Sequence, residues 1–435
     1  MLKKILFLVC ILFISWCQQE NVRFLYTVSE FEDKEWSLET DSIINKKQSK
    51  WSNVYEVHFE SRTNYSKKNI MASEKKIVYH DFCSVDETIY AVGWEFGEGY
   101  STARLVQIYP NVENPILYNN SEIRLRDCTY IEQDNKKYLS MVSHWKWKVY
   151  LYDVINKSII TEEDAHYIWE IDWKNYEWIT MIHEVISADL NNDWKQEIYY
   201  TPSSKNTTTY SEQKWKILSA EVNNWNIVQS EFFDFKNLHA KEIHNVVLKN
   251  WKEILIASVQ WKTQINEKKN REAQKVSSLT FKDWTKRVIK DTEEITDIIR
   301  WVELKSFYQD WDIIKSKELL KIGNTVQCRI IEYGDLYWID QEINLIVWCN
   351  DWNIFIYSLN NNIEITLKEA LQIPWKKIRS LHIADTDNDW LDEVFIWVDF
   401  DWIYHLNIKL KQEDKLFKMF DYTWTESWFW SMESI

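Results

Sequence analysis

Tryptophan occupies tight-turn positions where the backbone needs glycine, and this feature constrains the fold more than any other. The chain of 435 residues contains 27 Trp and only 5 Gly, whereas ordinary usage makes Gly about 7% of residues. Asp-Gly and Asn-Gly are the usual dipeptides of tight turns, and Asp-Trp has no such role. We therefore expect many short segments separated by tight turns. Nine of the tryptophans directly follow Asp or Asn, at positions 173, 194, 225, 251, 284, 311, 352, 390 and 402.

We interpret most of these tryptophans as standing for glycine. A gene from a lineage that reads UGA as glycine, translated with a table that reads UGA as tryptophan, would give this pattern. The alternative is a protein truly rich in tryptophan, which leaves the turn chemistry unexplained.

Two Asp-rich segments space their oxygen-bearing side chains as a calcium loop does. Ca²⁺ prefers six to eight oxygen ligands, and the sixth loop position makes a sharp turn that suits glycine. Trp194 and Trp390 stand at that position. The sequence therefore predicts two calcium sites. The predicted ligands are Asp189, Asn191, Asp193, the Lys195 carbonyl and Glu197 in the first loop, and Asp385, Asp387, Asp389, the Leu391 carbonyl and Glu393 in the second.

The EF-hand is the main alternative calcium-binding motif for these loops. It requires Glu at loop position 12 and a following helix. Position 12 is Tyr200 in the first loop and Ile396 in the second, and a strand-like segment follows each. The EF-hand is therefore excluded.

The chain reads as many short β-strands rich in β-branched and aromatic residues, with no long helical period. Apolar strands recur after turn-rich segments in a loose repeat, which is typical of a β-propeller. We predict an all-β propeller, with seven blades of four antiparallel strands favoured and six or eight left open. The recurring strands are placed near residues 88–93, 138–143, 197–201, 253–259, 301–308, 343–349 and 393–398.

The two loops resemble the FG-GAP/VCBS repeat family, the propeller type also found in integrin α-subunits. The family pattern is Asp-x-Asp/Asn-x-Asp-Gly-x-x-Asp/Glu followed by an apolar strand. Residues 189–198 and 385–394 match it once Trp194 and Trp390 are read as Gly. Other repeats keep only remnants, as at residues 250–256 and 350–356, and the Gly-Ala-Pro part is missing. The resemblance implies a structural role for calcium, which pins the turn between two blade strands and need not touch a ligand.

The N-terminal segment is typical of a lipoprotein signal. Lys3 and Lys4 precede an apolar stretch too short to span a bilayer, and Ile14-Ser15-Trp16-Cys17 resembles a lipobox if Trp16 is read as Gly. We expect acylation of Cys17 and an extracytoplasmic, lipid-anchored protein; an ordinary secretory signal is the alternative. The expected division is residues 1–16 signal peptide, 17–24 tether, 25–421 propeller and 422–435 flexible tail.

Function is less constrained than fold. The net charge of −15 argues against nucleic acid as the main partner. No nucleophile elbow, phosphate loop or paired metal-binding histidines occur. We expect a non-catalytic envelope protein that binds a surface protein or a glycan. The alternative is an extracytoplasmic carbohydrate-active enzyme, a lyase or hydrolase, with its site at the central channel.

Three further expectations concern loops and cysteines. The polar segments Pro202–Lys214 and Lys262–Val276 are interpreted as insertions between blades that form a binding rim. Cys328 and Cys349 flank a hairpin, so they either pair or stay as buried thiols. No disulfide framework is expected in a chain of this length.

Overall fold

The described strands form seven four-stranded antiparallel sheets arranged as blades. Each blade is a meander whose consecutive strands are hydrogen-bonded neighbours. The computed structural model describes residues 23–31, 49–61, 64–72, 77–96, 101–110, 116–121, 124–143, 148–164, 177–206, 213–223, 226–235, 239–267, 294–310, 313–323, 328–337, 341–349, 353–372, 378–385, 390–398, 402–406, 416–421 and 427–434.

The first three blades lie in chain order. Blade 1 contains β4 (Ile77–Val85), β5 (Thr88–Phe96), β6 (Ser101–Tyr109) and β7 (Ile116–Ser121). Blade 2 contains β8 (Leu125–Gln133), β9 (Lys136–Ser143), β10 (Lys148–Asp153) and β11 (Ser158–Asp164). Blade 3 contains β12 (Glu177–Ala188), β13 (Glu197–Asn206), β14 (Gln213–Asn223) and β15 (Asn226–Asp234).

The next three blades repeat this arrangement. Blade 4 contains β16 (His239–Val247), β17 (Glu253–Glu267), β18 (Glu294–Asp310) and β19 (Ile313–Gly323). Blade 5 contains β20 (Cys328–Gly334), β21 (Glu342–Cys349), β22 (Asn353–Asn360) and β23 (Ile365–Gln372). Blade 6 contains β24 (Ile378–Ala384), β25 (Glu393–Val398), β26 (Trp402–Leu406) and β27 (Leu416–Asp421).

Blade 7 is assembled from both ends of the chain. It contains β28 (Ser427–Ser434), β1 (Arg23–Phe31), β2 (Ser49–Ser61) and β3 (Asn64–Ala72), with β28 paired to β1. The first strand of each blade contacts the first strand of the next, in the cyclic order β28, β4, β8, β12, β16, β20, β24 and back to β28. These innermost strands therefore close a ring, and the predicted all-β propeller is confirmed.

The second strands explain why the sequence repeat was visible. In β9 and β21 the side chains are buried at almost every position, on both faces of the sheet. A strand that is covered on both faces reads as a continuous apolar run. The predicted repeat strands fall on these second strands in blades 1 to 6, with one exception. Residues 301–308 lie in β18, the third strand of blade 4, so they do not mark a blade of their own.

The expected tail was wrong for most of its length. Residues 427–434 form β28, the innermost strand of the closing blade, instead of a flexible end. A polar sequence read as glycine-rich gives no apolar run, and only pairing with a strand about 400 residues away in sequence defines this element. The described propeller likewise begins at Arg23, inside the expected tether of residues 17–24.

The hydrophobic core lies between blades. Each described cluster of buried apolar side chains joins neighbouring blades, as in the cluster of Val142, Leu151, Val185 and Tyr200 between blades 2 and 3. Further clusters join blades 1 and 2, 3 and 4, 4 and 5, 5 and 6, and 7 and 1. Blade-to-blade packing therefore stabilises the ring through burial of apolar surface.

The two polar segments lie within blades, not between them as expected. Pro202–Lys214 runs from the last part of β13 to the first residues of β14, and Lys262–Val276 begins in the last part of β17, before β18. Both connections join the second and third strands of a blade. In an antiparallel meander successive turns alternate between the two ends of the strands. The turns between first and second strands lie on one face of the ring, which we call the first-turn face. The connections between second and third strands therefore lie on the opposite face.

One disulfide joins two blades. Cys83 in β4 is bonded to Cys128 in β8, a link that sequence analysis did not foresee. Cys328 and Cys349 stand opposite each other in the register of β20 and β21, and Cys349 is disulfide-bonded. The predicted signal segment and Cys17 lie outside the described residues. Within the described residues no helix has the length and apolarity needed to cross a membrane.

Candidate metal-binding loops and the channel wall

The first Asp-rich loop is a compact turn between β12 and β13 on the first-turn face. The Asp189 carboxylate accepts hydrogen bonds from the amides of Asp193 (3.0 Å) and Trp194 (2.9 Å). The Asn191 Oδ1 atom also accepts from the Asp193 amide at 2.9 Å. The Asp193 Oδ1 atom accepts from the Lys195 amide at 2.9 Å. The side chains at loop positions 1, 3 and 5 therefore accept hydrogen bonds from the backbone of their own loop.

Glu197 closes this loop from the start of β13. Its Oε1 atom accepts a hydrogen bond from Asn191 Nδ2 at 3.1 Å, and its Oε2 atom accepts from the Tyr199 hydroxyl at 3.3 Å. Burial, followed by the negative charges of Asp193 and Asp189, raises the pKa of Glu197 to about 7. A buried carboxylate beside two others is an environment that a cation would relieve.

The ligand chemistry and the backbone shape of the loop suit calcium, but its carboxylate oxygens are not gathered around one point. Its donors are oxygen atoms, which Ca²⁺ prefers. Asp189, Asp193 and Glu197 are not gathered so closely that one oxygen of each lies within 4.8 Å of the others. Their oxygens bond instead to loop amides and to Asn191. Binding a cation at these residues requires the carboxylates to draw together.

The second loop repeats the first where it is described. The amide of Trp390 donates to Asp385 Oδ2 at 2.8 Å, the same contact that Trp194 makes to Asp189. Glu393, like Glu197, is buried at the start of the blade's second strand. Leu391 lies in the described turn, whereas Asp387 and Asp389 are outside the described residues.

The backbone at three turn positions has the left-handed conformation that favours glycine. The φ angles are 66° at Trp194, 66° at Trp251 and 71° at Trp390. Their side chains are 95%, 84% and 77% exposed, respectively. Large side chains in a left-handed turn are outliers, and these three bury little apolar surface that could offset the strain.

Loop position 8 reaches the preceding blade, a role that sequence analysis missed. Gln196 Oε1 accepts a hydrogen bond from the Glu132 amide at 3.1 Å, and Asp392 Oδ2 accepts from the Asp335 amide at 2.5 Å. The Asp392 amide also donates to the Asp335 carbonyl at 2.9 Å. The side chain at loop position 8 therefore ties the loop to the neighbouring blade.

Gly334 shows how tightly blades 5 and 6 approach at this point. A Cβ atom on Gly334 would lie 2.5 Å from the Asp392 Oδ2 atom and 2.7 Å from a methyl carbon of Ile383. Only glycine permits this approach of backbone to carboxylate. Burial raises the pKa of Asp392. A cavity of about 500 Å³ opens beside this contact, with Leu248, Lys249, Tyr333, Asp335, Ile383 and Asp392 in its lining.

The innermost strands of blades 1 to 4 carry a second set of carboxylates that sequence analysis did not identify. Asp81, Asp127, Glu184 and Glu242 each stand at or directly after a register shift in the first strand of a blade. A basic residue directly precedes each of these four carboxylates in the sequence. This pairing is the sequence pattern that could have identified them. The basic residues are His80, Arg126, His183 and Lys241.

One cluster of potential metal ligands lies on the same innermost strands, but its chemistry does not suit a metal ion. Asp81, Cys83 and Cys128 are the only three such ligand residues gathered within 4.8 Å among the described residues. Because Cys83 and Cys128 are joined as a disulfide, neither offers a thiolate.

Comparison with known proteins supports the fold alone. Neither a protein-family model nor a curated protein matches the chain. A hypothetical selenium-binding protein from Sulfolobus tokodaii is similar over 95% of this chain and 93% of its own, with a TM-score of 0.52 and 9% identity. Sqt1 from Chaetomium thermophilum matches over 80% of this chain and 87% of its own, with a TM-score of 0.45 and 9% identity. The Dos1 propeller matches over 87% of this chain and 82% of its own, with a TM-score of 0.45 and 9% identity.

Proposed function

We propose that this chain is a non-catalytic, calcium-binding propeller with FG-GAP/VCBS-type repeats, anchored to the cell envelope through Cys17. In this proposal it binds a surface protein or glycan in adhesion. The observation that carries it is the first loop, where Asp189, Asn191, Asp193 and Glu197 share one turn and Glu197 is buried among like charges. Calcium would supply positive charge there, and the chain's own residues would fix the turn.

A structural role for calcium follows from the contacts of the loop. Gln196 bonds to blade 2, and the Glu253 carboxylate of blade 4 accepts a hydrogen bond from the Asp189 amide at 3.0 Å. The loop is therefore linked to the blades on both sides. A cation held by its side chains would stabilise the junction of three blades.

We also infer that Trp194, Trp251 and Trp390 stand for glycine in the protein made by the source cell. The support is the left-handed backbone at all three positions together with their exposed side chains. A peptide mass across residue 194 or 390 of the native protein decides the matter. A mass with tryptophan there would remove this inference.

The calcium proposal is tested by thermal unfolding of the form with glycine at positions 194 and 390. A free calcium concentration about one hundred times the Kd should stabilise the folded state by about 2.7 kcal/mol. Asp189→Ala and Asp385→Ala should each remove part of the calcium-dependent gain, because each deletes a ligand at loop position 1. Glu318→Ala, an exposed carboxylate on β19, is the matched control. Equal loss in all three variants would indicate general charge relief and contradict defined sites.

The anchor is tested separately from the propeller. Cys17→Ser should abolish acyl labelling and leave unprocessed precursor, because the thiol accepts the lipid. Normal cleavage and labelling of this variant would contradict the lipoprotein assignment.

A second candidate function, an extracytoplasmic lyase or hydrolase acting on carbohydrate, has one observation in its favour. Glu184, Glu242 and His244 lie together on two neighbouring innermost strands, and burial raises the pKa of Glu184 to about 8, in the range of a general acid. The Glu184 carboxylate is, however, bound to the Ile243 amide at 2.7 Å, which favours a structural role. Glycan cleavage that is lost in Glu184→Gln would establish the enzyme; absence of cleavage over a panel of envelope and plant polysaccharides supports the binding protein.

A further inference from the structure

A cavity opens on the first-turn face where blades 4, 5 and 6 meet. Its lining comes from the turn between β16 and β17, from the end of β20, from the start of β21 and from the second Asp-rich loop before β25. The volume of about 500 Å³ falls in the range of small-molecule pockets, roughly 300–1,000 Å³. The cavity is therefore large enough for a free organic molecule.

Apolar side chains form much of the cavity wall. Leu248 and Ile343 are buried, and Ile383 and the aromatic ring of Tyr333 are half-buried. These side chains come from blades 4, 5 and 6, so the wall exists only where the three blades pack together. Such a wall favours a ligand with an apolar body, because binding removes the apolar surface of both from water.

The charged groups of the wall also come from all three blades. Lys249 of blade 4 forms an ion pair with the Asp335 carboxylate of blade 5. The Asp335 amide donates to Asp392 Oδ2 of blade 6 at 2.5 Å, and the Asp335 carbonyl accepts from the Asp392 amide at 2.9 Å. The lining thus holds two carboxylates and one ammonium group, and the ammonium group is bound to Asp335.

Asp392 is the carboxylate of this wall without an ion pair among the described residues. Its Oδ2 atom accepts the Asp335 amide, and no described donor is bonded to its Oδ1 atom. Burial raises the pKa of Asp392, and the bond to the Asp335 amide and the charge of Lys249 offset this only in part. A positively charged donor in the cavity would stabilise the ionised carboxylate.

We propose that this cavity binds a small organic cation, an amine or guanidine with an apolar body, and that Asp392 pairs with its charge. The apolar body lies against Leu248, Tyr333 and Ile343, and the cationic group donates a hydrogen bond to the Asp392 carboxylate. A hydrogen bond between two ionised groups is about twice as strong as one between neutral groups, so the charge of the ligand decides its affinity. Lys249 competes with the ligand, because its ammonium group lies in the same wall.

Trp251 affects the entrance of the cavity more than its recognition chemistry. Its side chain is 84% exposed and belongs to the lining. With glycine at this position the entrance is wider, while the apolar wall and the three charged groups remain. Asp392 stands at position 8 of the second Asp-rich loop and is not one of the predicted calcium ligands. The proposal is therefore independent of calcium binding.

The test is a calorimetric titration of the full mature chain with three probes that share one apolar body. Near neutral pH, phenylbutylamine is a cation, phenylbutanol is neutral and phenylbutyrate is an anion. The amine should bind about tenfold more tightly than the alcohol, and the anion should bind more weakly than either. Equal affinity for amine and alcohol, or tighter binding of the anion, would overturn the proposal. A chelator is present throughout, so this result is separate from the calcium proposal.

Three variants locate the charge recognition. Asp392→Asn keeps an acceptor for the Asp335 amide and should raise the Kd of the amine about tenfold, with the Kd of the alcohol unchanged. Lys249→Met removes the competing ammonium group and should lower the Kd of the amine. Glu318→Gln, at an exposed position on β19, is the control and should match the parent. Unchanged amine binding by Asp392→Asn, or weaker binding by Lys249→Met, would contradict the assignment.

Hydrogen exchange of the unsubstituted chain keeps the test independent of whether the variants fold. Saturating phenylbutylamine should slow amide exchange in residues 247–251 and 333–336, which border the cavity. Exchange in β9, which lies in blade 2, should not change. Protection confined to other parts of the chain would place the amine elsewhere and would refute this site.

Discussion

At the scale of single residues, backbone conformation separates two kinds of tryptophan. Trp194, Trp251 and Trp390 lie in left-handed turns with exposed side chains. Trp215 and Trp348 are buried in β14 and β21 and fill the core between blades. The first kind contributes strain without packing, and the second contributes packing.

Replacing a turn tryptophan by glycine should stabilise the chain. Trp194→Gly and Trp390→Gly should each raise the free energy of unfolding by about 1 kcal/mol, because the left-handed conformation costs an L-residue about 1–2 kcal/mol. Urea denaturation measures the change. Trp215→Ala is the contrasting variant, with an expected loss of about 3–5 kcal/mol from the cavity it opens. A loss of stability at 194 and 390 would contradict the requirement for glycine.

Asp392 illustrates a side chain whose role depends on a neighbouring blade. Asp392→Ala should lower the free energy of unfolding by about 1 kcal/mol, because it leaves the half-buried Asp335 amide without its acceptor. Asp392→Asn retains an acceptor oxygen and should lose less. Denaturation in the presence of a chelator separates this effect from calcium. If the free energy of unfolding of Asp392→Ala equals that of the parent protein, this hydrogen bond does not contribute to stability.

At the scale of elements, the alternation of turns places the Asp loops and the polar hairpins on different faces of the ring. The Asp loops join first and second strands, whereas the polar hairpins join second and third strands. The Asp loops and the polar hairpins therefore lie at opposite ends of the blades. A binding partner that uses the hairpins need not approach the metal loops.

Replacing residues 268–293 by a short Gly-Asn turn should leave the calcium-dependent gain in melting temperature unchanged. This replacement spares the paired parts of β17 and β18, which a deletion of Lys262–Val276 would cut into. Attachment to cells or immobilised glycans should fall if the hairpin contacts the partner. Differential scanning fluorimetry with and without calcium gives the first result. Loss of the calcium gain would show that the two faces are coupled.

At the scale of the whole molecule, closure depends on the last strand. β28 pairs with β1 and contacts the innermost strands of blades 1 and 6. Closure of a propeller leaves few exposed strand edges. Without β28, the ring has a gap beside β4 and β24.

Truncation before Ser427 should lower the urea midpoint and enlarge the hydrodynamic radius. The reason is that blade 7 loses its innermost strand and the packing at two junctions. Size-exclusion chromatography and urea unfolding measure both changes, and a chain extended beyond Ile435 by a short polar tag is the control. An unaltered midpoint for the truncated chain would mean that β28 does not close the ring.

The sequence by itself determined the local features of this protein. Continuous apolar runs marked the second strands, since a strand buried on both faces needs apolar side chains at each position. The Asp-rich spacing located a turn in which Asp189, Asn191 and Asp193 accept hydrogen bonds from loop amides, because side-chain-to-backbone bonds within a turn depend only on nearby residues.

The tertiary structure alone decided which distant residues meet. Four features join segments that only ring closure brings together: the assignment of residues 301–308 to blade 4, the position of β28, the disulfide of Cys83 with Cys128 and the hydrogen bond from the Val185 amide to Asp127. No local pattern specifies such contacts, since their partners lie tens to hundreds of residues away in the chain. Blade packing fixes them through burial between neighbouring sheets.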